Sequence, residues 1–203
     1  MRWRMSKMGP SWRVPFKRKR EGKTDYRQRT KLLRSGKPRL VVRPSLRHIT
    51  VQVVRATPGG DSTLASAHSS ELPKFGWKAY SGNVPAAYLT GLLCGYRAVK
   101  AGATEGILDL NMHAPTPQGK VFAALKGVLD AGLKVPHGEK MFPTDERTRG
   151  DHITQYAAKL KSNEDAHRAQ FSGYSSRGLS PEDLSEHFKQ IKQAITTQHE
   201  GRK

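Results

Sequence analysis

Apolar positions recur along this chain with two different periods. Arg39-Leu40-Val41-Val42-Arg43 is short and rich in β-branched residues, which predicts a strand. After a turn at Pro44-Ser45, Ile49, Val51 and Val53 alternate with Thr50, Gln52 and Val54, predicting a second strand. Thr57-Pro58-Gly59-Gly60-Asp61 has the composition of a hairpin loop, and residues 62–68 read as the returning strand. Phe75-Gly76-Trp77, with Ser81-Gly82-Asn83, predicts an exposed connection. The period then lengthens. Pro85 opens a helix to about Ala101, with Tyr88, Leu92, Tyr96 and Val99 on one stripe. Residues 105–110 read as a short buried strand. Residues 119–131 read as a helix turning Val121, Leu125, Val128 and Leu129 inward, and Leu133-Lys134-Val135 as a brief last strand. The order β-β-β-α-β-α-β predicts an α/β fold, a mixed sheet with helices packed on it.

From Asp151 the pattern is helical with polar loops. Ile153, Tyr156, Ala157 and Leu160 form one amphipathic face. Ser180-Pro181-Glu182-Asp183 has the cap, proline and acidic residues of a helix start, and Leu184, Phe188, Ile191 and Ile195 follow at helical spacing. The expected organisation is a basic arm with its own helix over 1–38, an α/β core over 39–150 and a C-terminal helical extension over 151–203.

Charge separates the arm from the rest. The 203 residues carry a formal net charge of +19. Residues 1–48 hold 17 Lys or Arg against Glu21 and Asp25, a net of +15, which leaves +4 for residues 49–203. A block of this kind calls for a polyanion. Gly9, Pro10 and Pro15 argue against a helix before residue 16, and Lys17-Arg18-Lys19-Arg20 is too repulsive to fold alone. Thr24-Asp25 then reads as a cap for a helix running to Arg34, closed by Ser35-Gly36-Lys37-Pro38. Tyr26, Thr30 and Leu33 share one of its faces and Arg27, Lys31 and Arg34 another, so a basic stripe can follow a phosphate backbone. Trp3, Trp12, Phe16 and Tyr26 are interleaved with the cations, and rings so placed can stack on unpaired bases. Arg147-Thr148-Arg149-Gly150, the Phe75-Gly76-Trp77-Lys78 loop and a helix N-terminus near Asn83 are further places for RNA contact.

Other classes find little support. No apolar stretch approaches the ~20 residues of a membrane span, and no apolar segment follows the charged N-terminus as a secretory signal requires. The arm also lacks the large apolar face of a helix that lies on a membrane surface. Cys94, the single cysteine, sits among Leu92, Leu93 and Tyr96 and is expected to be buried, which suits a reducing cytoplasm. No glycine-rich phosphate loop is present, and the eight histidines show no metal-ligand spacing, so no cofactor is expected. Asp109, with Asp61, Asp130 and Glu105, offers the one carboxylate set for an alternative reading as a metal-dependent RNA-processing nuclease, although a strand-end Asp is more often a cap or loop partner.

Several strings carry a specific resemblance. Val14-Pro15-Phe16-Lys17-Arg18-Lys19-Arg20-Glu21-Gly22-Lys23-Thr24-Asp25-Tyr26, Gly36-Lys37-Pro38-Arg39-Leu40-Val41 and Thr63-Leu64-Ala65-Ser66-Ala67-His68-Ser69 are three of them. Ala86-Ala87-Tyr88-Leu89-Thr90-Gly91-Leu92-Leu93, Lys120-Val121-Phe122-Ala123-Ala124-Leu125-Lys126-Gly127, Arg147-Thr148-Arg149-Gly150 and Phe171-Ser172-Gly173-Tyr174 are others. From about Gly9 to about Ile195 the chain resembles the universal large-subunit ribosomal protein eighteen family in its archaeal and eukaryotic form. The resemblance implies a non-catalytic α/β protein of the cytoplasmic ribosome that binds 5S rRNA. It also implies contact with the large rRNA and with neighbouring proteins of the central protuberance. RNA contacts carry over to Arg13, to the run from Lys17 to Lys23, and to Arg27, Arg29, Lys31 and Arg34, with Arg43, Arg47 and Trp77 as outlying positions. One departure is that the family often begins near the Gly9-Pro10 position, whereas Met1, Met5 and Met8 all precede it here. A start at Met8 would remove Arg2, Arg4 and Lys7 from the arm, which the intact mass of the native protein decides. The arm is expected to be disordered alone and to order on RNA as counterions are released.

Overall fold

A computed structural model describes residues 13–200; Trp3, Trp12 and the three early methionines lie outside them. Strands β1 (Arg39–Pro44), β2 (Ile49–Thr57), β3 (Gly60–His68) and β4 (Ile107–Asp109) form one sheet in the order β3-β2-β1-β4. The first three run antiparallel and β4 lies parallel to β1, so the sheet is mixed as the element order predicts. Pro58-Gly59 closes the β2–β3 hairpin, with Thr57 opposite Gly60. Val53 faces Ala65 while Val54 faces Thr63, so Leu64 is an extra residue and forms a bulge.

One face of this sheet carries Leu40, Val42, Ile49, Val51, Val53, Ala65 and Ala67 into the core. Helices α3 (Val84–Lys100) and α4 (Lys120–Asp130) cover that face. Their mutual approach is set by missing side chains. A Cβ on Gly91 would stand 2.0 Å from the Ala124 carbonyl oxygen, and one on Gly127 would stand 2.1 Å from that of Tyr88. Backbone therefore meets backbone at the crossing, tighter than any larger residue allows. Within α3, Cys94 is fully buried, and burial pushes its thiol pKa up to about 12.

The segment 133–135 differs from expectation. It makes an isolated bridge between Lys134 and Glu105 rather than a strand. The Leu133 N–H turns back to the Val128 carbonyl at the end of α4, and Pro136 has no N–H to offer a ladder.

After α5 (Asp145–Arg149) come α6 (Asp151–Leu160), α7 (Glu164–Ser175) and α8 (Leu184–Glu200). The Ser180 side chain makes no cap bond, and Pro181–Asp183 is a single 3-10 turn leading into α8. Leu184, Phe188, Ile191 and Ile195 of α8 then enter the same core as the sheet. Ser185 donates to Asp151 (2.5 Å), tying α8 to α6.

Candidate nucleic-acid interface

The arm begins as folded chain. Lys17–Arg20 forms one helical turn, α1, despite its charge. Glu21 offsets the repulsion, with one carboxylate oxygen 3.0 Å from Lys23 Nζ and the other 4.0 Å from Lys17 Nζ, and Arg18 Nε donates to Thr24 Oγ1 (2.9 Å). Phe16, 71% exposed, lies 5.1 Å from the Tyr26 ring. Arg13, Lys17, Arg18, Lys19, Arg20 and Lys23 are all exposed.

Helix α2 (Tyr26–Leu33) starts where Asp25 accepts from the backbone N–H groups of Arg27 (2.9 Å) and Gln28 (3.1 Å). Tyr26, Leu32 and Leu33 are half-buried, whereas Arg27, Lys31 and Arg34 are exposed and have no carboxylate partner among the described residues. Two contacts pin the arm to the sheet. Asn111 Nδ2 donates to the Lys23 carbonyl (2.9 Å), and Arg29 pairs with Asp61 at the start of β3 (2.8 Å). Residues 17–33 are therefore docked rather than loose, because a cap and two anchors hold them without RNA.

Beneath α2 runs an alternating chain of charge. Arg39, 4% exposed, gives Nη2 to Asp61 (2.6 Å) and Nη1 to Asp109 (2.7 Å). Asp61 holds Arg29 with its other oxygen, and Asp109 Oδ1 accepts from the Asn111 N–H (2.9 Å). Arm, hairpin, β1 and β4 are thus locked by two guanidiniums and two carboxylates, so the charges cancel inside the fold. A cavity of about 40 Å³ remains at this junction, with Arg18 and Arg43 on its wall. Arg43 and Arg47 are exposed.

The site residues read from the sequence therefore fall into groups. Arg13, the α1 turn, Lys23 and the outer face of α2 form one contiguous stretch of exposed basic chain. Arg29 belongs partly to the fold through Asp61. Arg147 and Arg149 are exposed on α5, whose Thr144 cap accepts from the Arg147 N–H (3.3 Å). Trp12 lies outside the described residues. Trp77 is a correction, being a core residue. It is 2% exposed and stacks on His187 at 5.2 Å, so its ring is unavailable to a base. The 3-10 turn Ser69–Phe75 and left-handed Gly76 fold the connection inward, a course its glycine and serine content did not signal.

Asp109 likewise has a structural task, since both of its oxygens are engaged. Among the described residues no three His, Cys, Asp or Glu side chains gather as a metal site. The sequence reading missed Arg39. Its signal was a cation on the strand face opposite Leu40 and Val42, which needed an acidic partner from elsewhere in the chain. Among the described residues no helix is long and apolar enough to cross a membrane.

Comparison with known proteins agrees with this build. Residues 11–105 match the family model of the ribosomal large-subunit proteins 60S L5 and 50S L18. The large ribosomal subunit protein uL18 of Thermofilum pendens is 55% identical over 188 residues, 92% of this chain and 96% of that protein. The uL18 of Methanococcus maripaludis is 52% identical over 188 residues, 93% of this chain and 97% of its own. With an arm of exposed cations on an α/β core and relatives matched almost end to end, the chain belongs to the uL18 family of large-subunit ribosomal proteins, structural constituents of the ribosome rather than enzymes.

Proposed function

We propose that this protein binds 5S rRNA through its N-terminal arm and attaches it to the large rRNA in the central protuberance of the cytoplasmic ribosome. The observation that carries the reading is the face of α2 that presents Arg27, Lys31 and Arg34 to solvent, without an ion-pair partner among the described residues, on a helix pinned to the sheet. Arg13, Lys17, Arg18, Lys19, Arg20 and Lys23 add exposed charge along the arm, Arg43 shares a cavity wall with Arg18, and Arg47 is exposed in the β1–β2 turn.

The division of labour is physical. Residues 1–38 supply charge that phosphates neutralise, and the anchoring of α2 fixes the orientation of the charge it carries. Because α2 is already capped and anchored, binding costs less ordering than a loose arm would. Phe16, exposed beside Tyr26, offers a ring to an unstacked base. Folded RNA is then recognised by shape and phosphate placement rather than by sequence.

Competition tests the choice of RNA. The full-length chain is titrated with labelled 5S rRNA at moderate salt against an unlabelled unrelated transcript of equal length. Preference for 5S rRNA by about three orders of magnitude or more is expected from the usual gap between specific and non-specific binding, roughly 10³-fold and upward. Equal competition would leave only a general polyanion binder.

A further inference from the structure

A cleft of about 490 Å³ opens between the N-terminal end of α3 and helices α6 and α7, and among the described residues none of the arm lines it. Its walls carry the rings of Tyr80, Tyr156, Phe171 and Tyr174. Phe171 lies 6.2 Å from Tyr156 at 57° and 5.7 Å from Tyr174 at 75°, so these rings are not stacked on one another. Tyr80 and Tyr156 are 37% and 49% exposed. The Tyr80 hydroxyl donates to the Leu46 carbonyl (2.8 Å), which fixes that ring.

The polar side chains on its wall, besides the tyrosines, are Asn83, His152, Gln170 and Arg177. Arg177 lines the cleft, its guanidinium held by the Ala79 carbonyl (2.8 Å), and no carboxylate lines it. Asn83 spends its Oδ1 on capping α3 at the Ala86 N–H (2.9 Å), which leaves its Nδ2 buried with no hydrogen-bond partner. The Tyr174 hydroxyl lies beside Asn83, which counters the upward push of burial on its pKa. The cleft therefore holds ring faces, a cation, a histidine, a glutamine and the buried Asn83 N–H donor.

We propose that this cleft receives one unpaired base of ribosomal RNA, stacked on Tyr156 and met along its edge by the Asn83 amide. A base supplies both missing partners, a π face for the ring and a carbonyl or ring-nitrogen acceptor for the donor. An apolar protein side chain would leave the Asn83 donor unsatisfied at a cost. An acidic peptide would satisfy Arg177 without using the rings. The volume lies in the range of small-molecule pockets, roughly 300–1,000 Å³, enough for a single base with its sugar at the mouth. The inference rests on the reading of the chain as an rRNA binder, but on a surface that the described arm residues, from 13 on, do not share.

The test uses the full-length chain assembled into large subunits, with p-benzoylphenylalanine in place of Tyr156, or in place of Lys31 as a control on the arm. Irradiation is expected to join position 156 to one unpaired nucleotide, and mapping that nucleotide distinguishes 5S from large-subunit rRNA. Chemical modification of the same nucleotide is expected to rise severalfold in subunits carrying Tyr156→Ala. A crosslink from 156 to protein, or none while position 31 joins RNA, overturns the pocket and leaves the arm reading standing. Failure to reach RNA from both positions overturns both.

Discussion

At Arg39 one guanidinium answers two carboxylates inside the sheet, and the consequences are measurable. Removing one partner of a buried pair strands the other charge, which costs about 3–5 kcal/mol. Arg39→Met is therefore expected to lower the unfolding free energy by about that much in denaturant titrations. Adding Asp109→Leu should recover part of the loss, because no buried anion then remains at β4. Unchanged stability in the single variant would show that the network is not structural. His187 makes a second residue-scale prediction. Its ring stacks on Trp77 and its Nε2 accepts from the Lys78 N–H (3.1 Å). Burial first, and then Lys78, hold its pKa below the ordinary 6.5. A depressed histidine pKa means that the unfolded chain takes up protons first as pH falls. This stabilisation is complete above 6.5 and is lost as pH falls through the lower folded value. Melting temperature should drop between pH 7 and 5, and less so in His187→Phe. His152, also depressed by burial, keeps the profile from becoming level.

Among the elements, the α3–α4 crossing governs the core. Gly91→Ala and Gly127→Ala each push a methyl into a backbone carbonyl that cannot step aside. Each is expected to cost about 1–3 kcal/mol, read as a lower denaturation midpoint. Gly173 in α7 is the contrast, since a Cβ there meets nothing within 4 Å. Gly173→Ala should stabilise by about 0.5–1 kcal/mol. Loss in both cases would mean that helix interiors, not the crossing, set the sensitivity. These elements also show what the sequence could tell. Alternation in Ile49, Val51 and Val53 and the stripe through Tyr88 and Leu92 announced β2 and α3 with nearly correct ends, because burial on one face leaves a period. The fate of 133–135 was hidden, since whether Leu133 bonds a strand or a helix end is decided by three-dimensional neighbours. Trp77 was misplaced for the same reason, its partner His187 lying far along the chain. The arm was legible as charge, and its Asp25 cap as a motif, but not its anchoring through Arg29 and Asp61.

For the molecule as a whole, the uneven charge is the organising fact. A net of +15 falls within residues 1–48, and the internal network beneath the arm cancels its own charges. The outward cations of α2 are thus left for a partner, and their contribution is countable through salt. The central claim is tested most directly by the affinity of the full-length chain for 5S rRNA across a range of salt concentrations, alongside the Arg27→Ala/Lys31→Ala/Arg34→Ala variant. If about eight phosphates are neutralised, the intact chain should show a log–log slope of about −6 to −7. The triple variant should be shallower by about 2 to 3, one increment of roughly 0.7–0.9 for each lost contact. Identical slopes for the two proteins would contradict the assignment of this face to RNA.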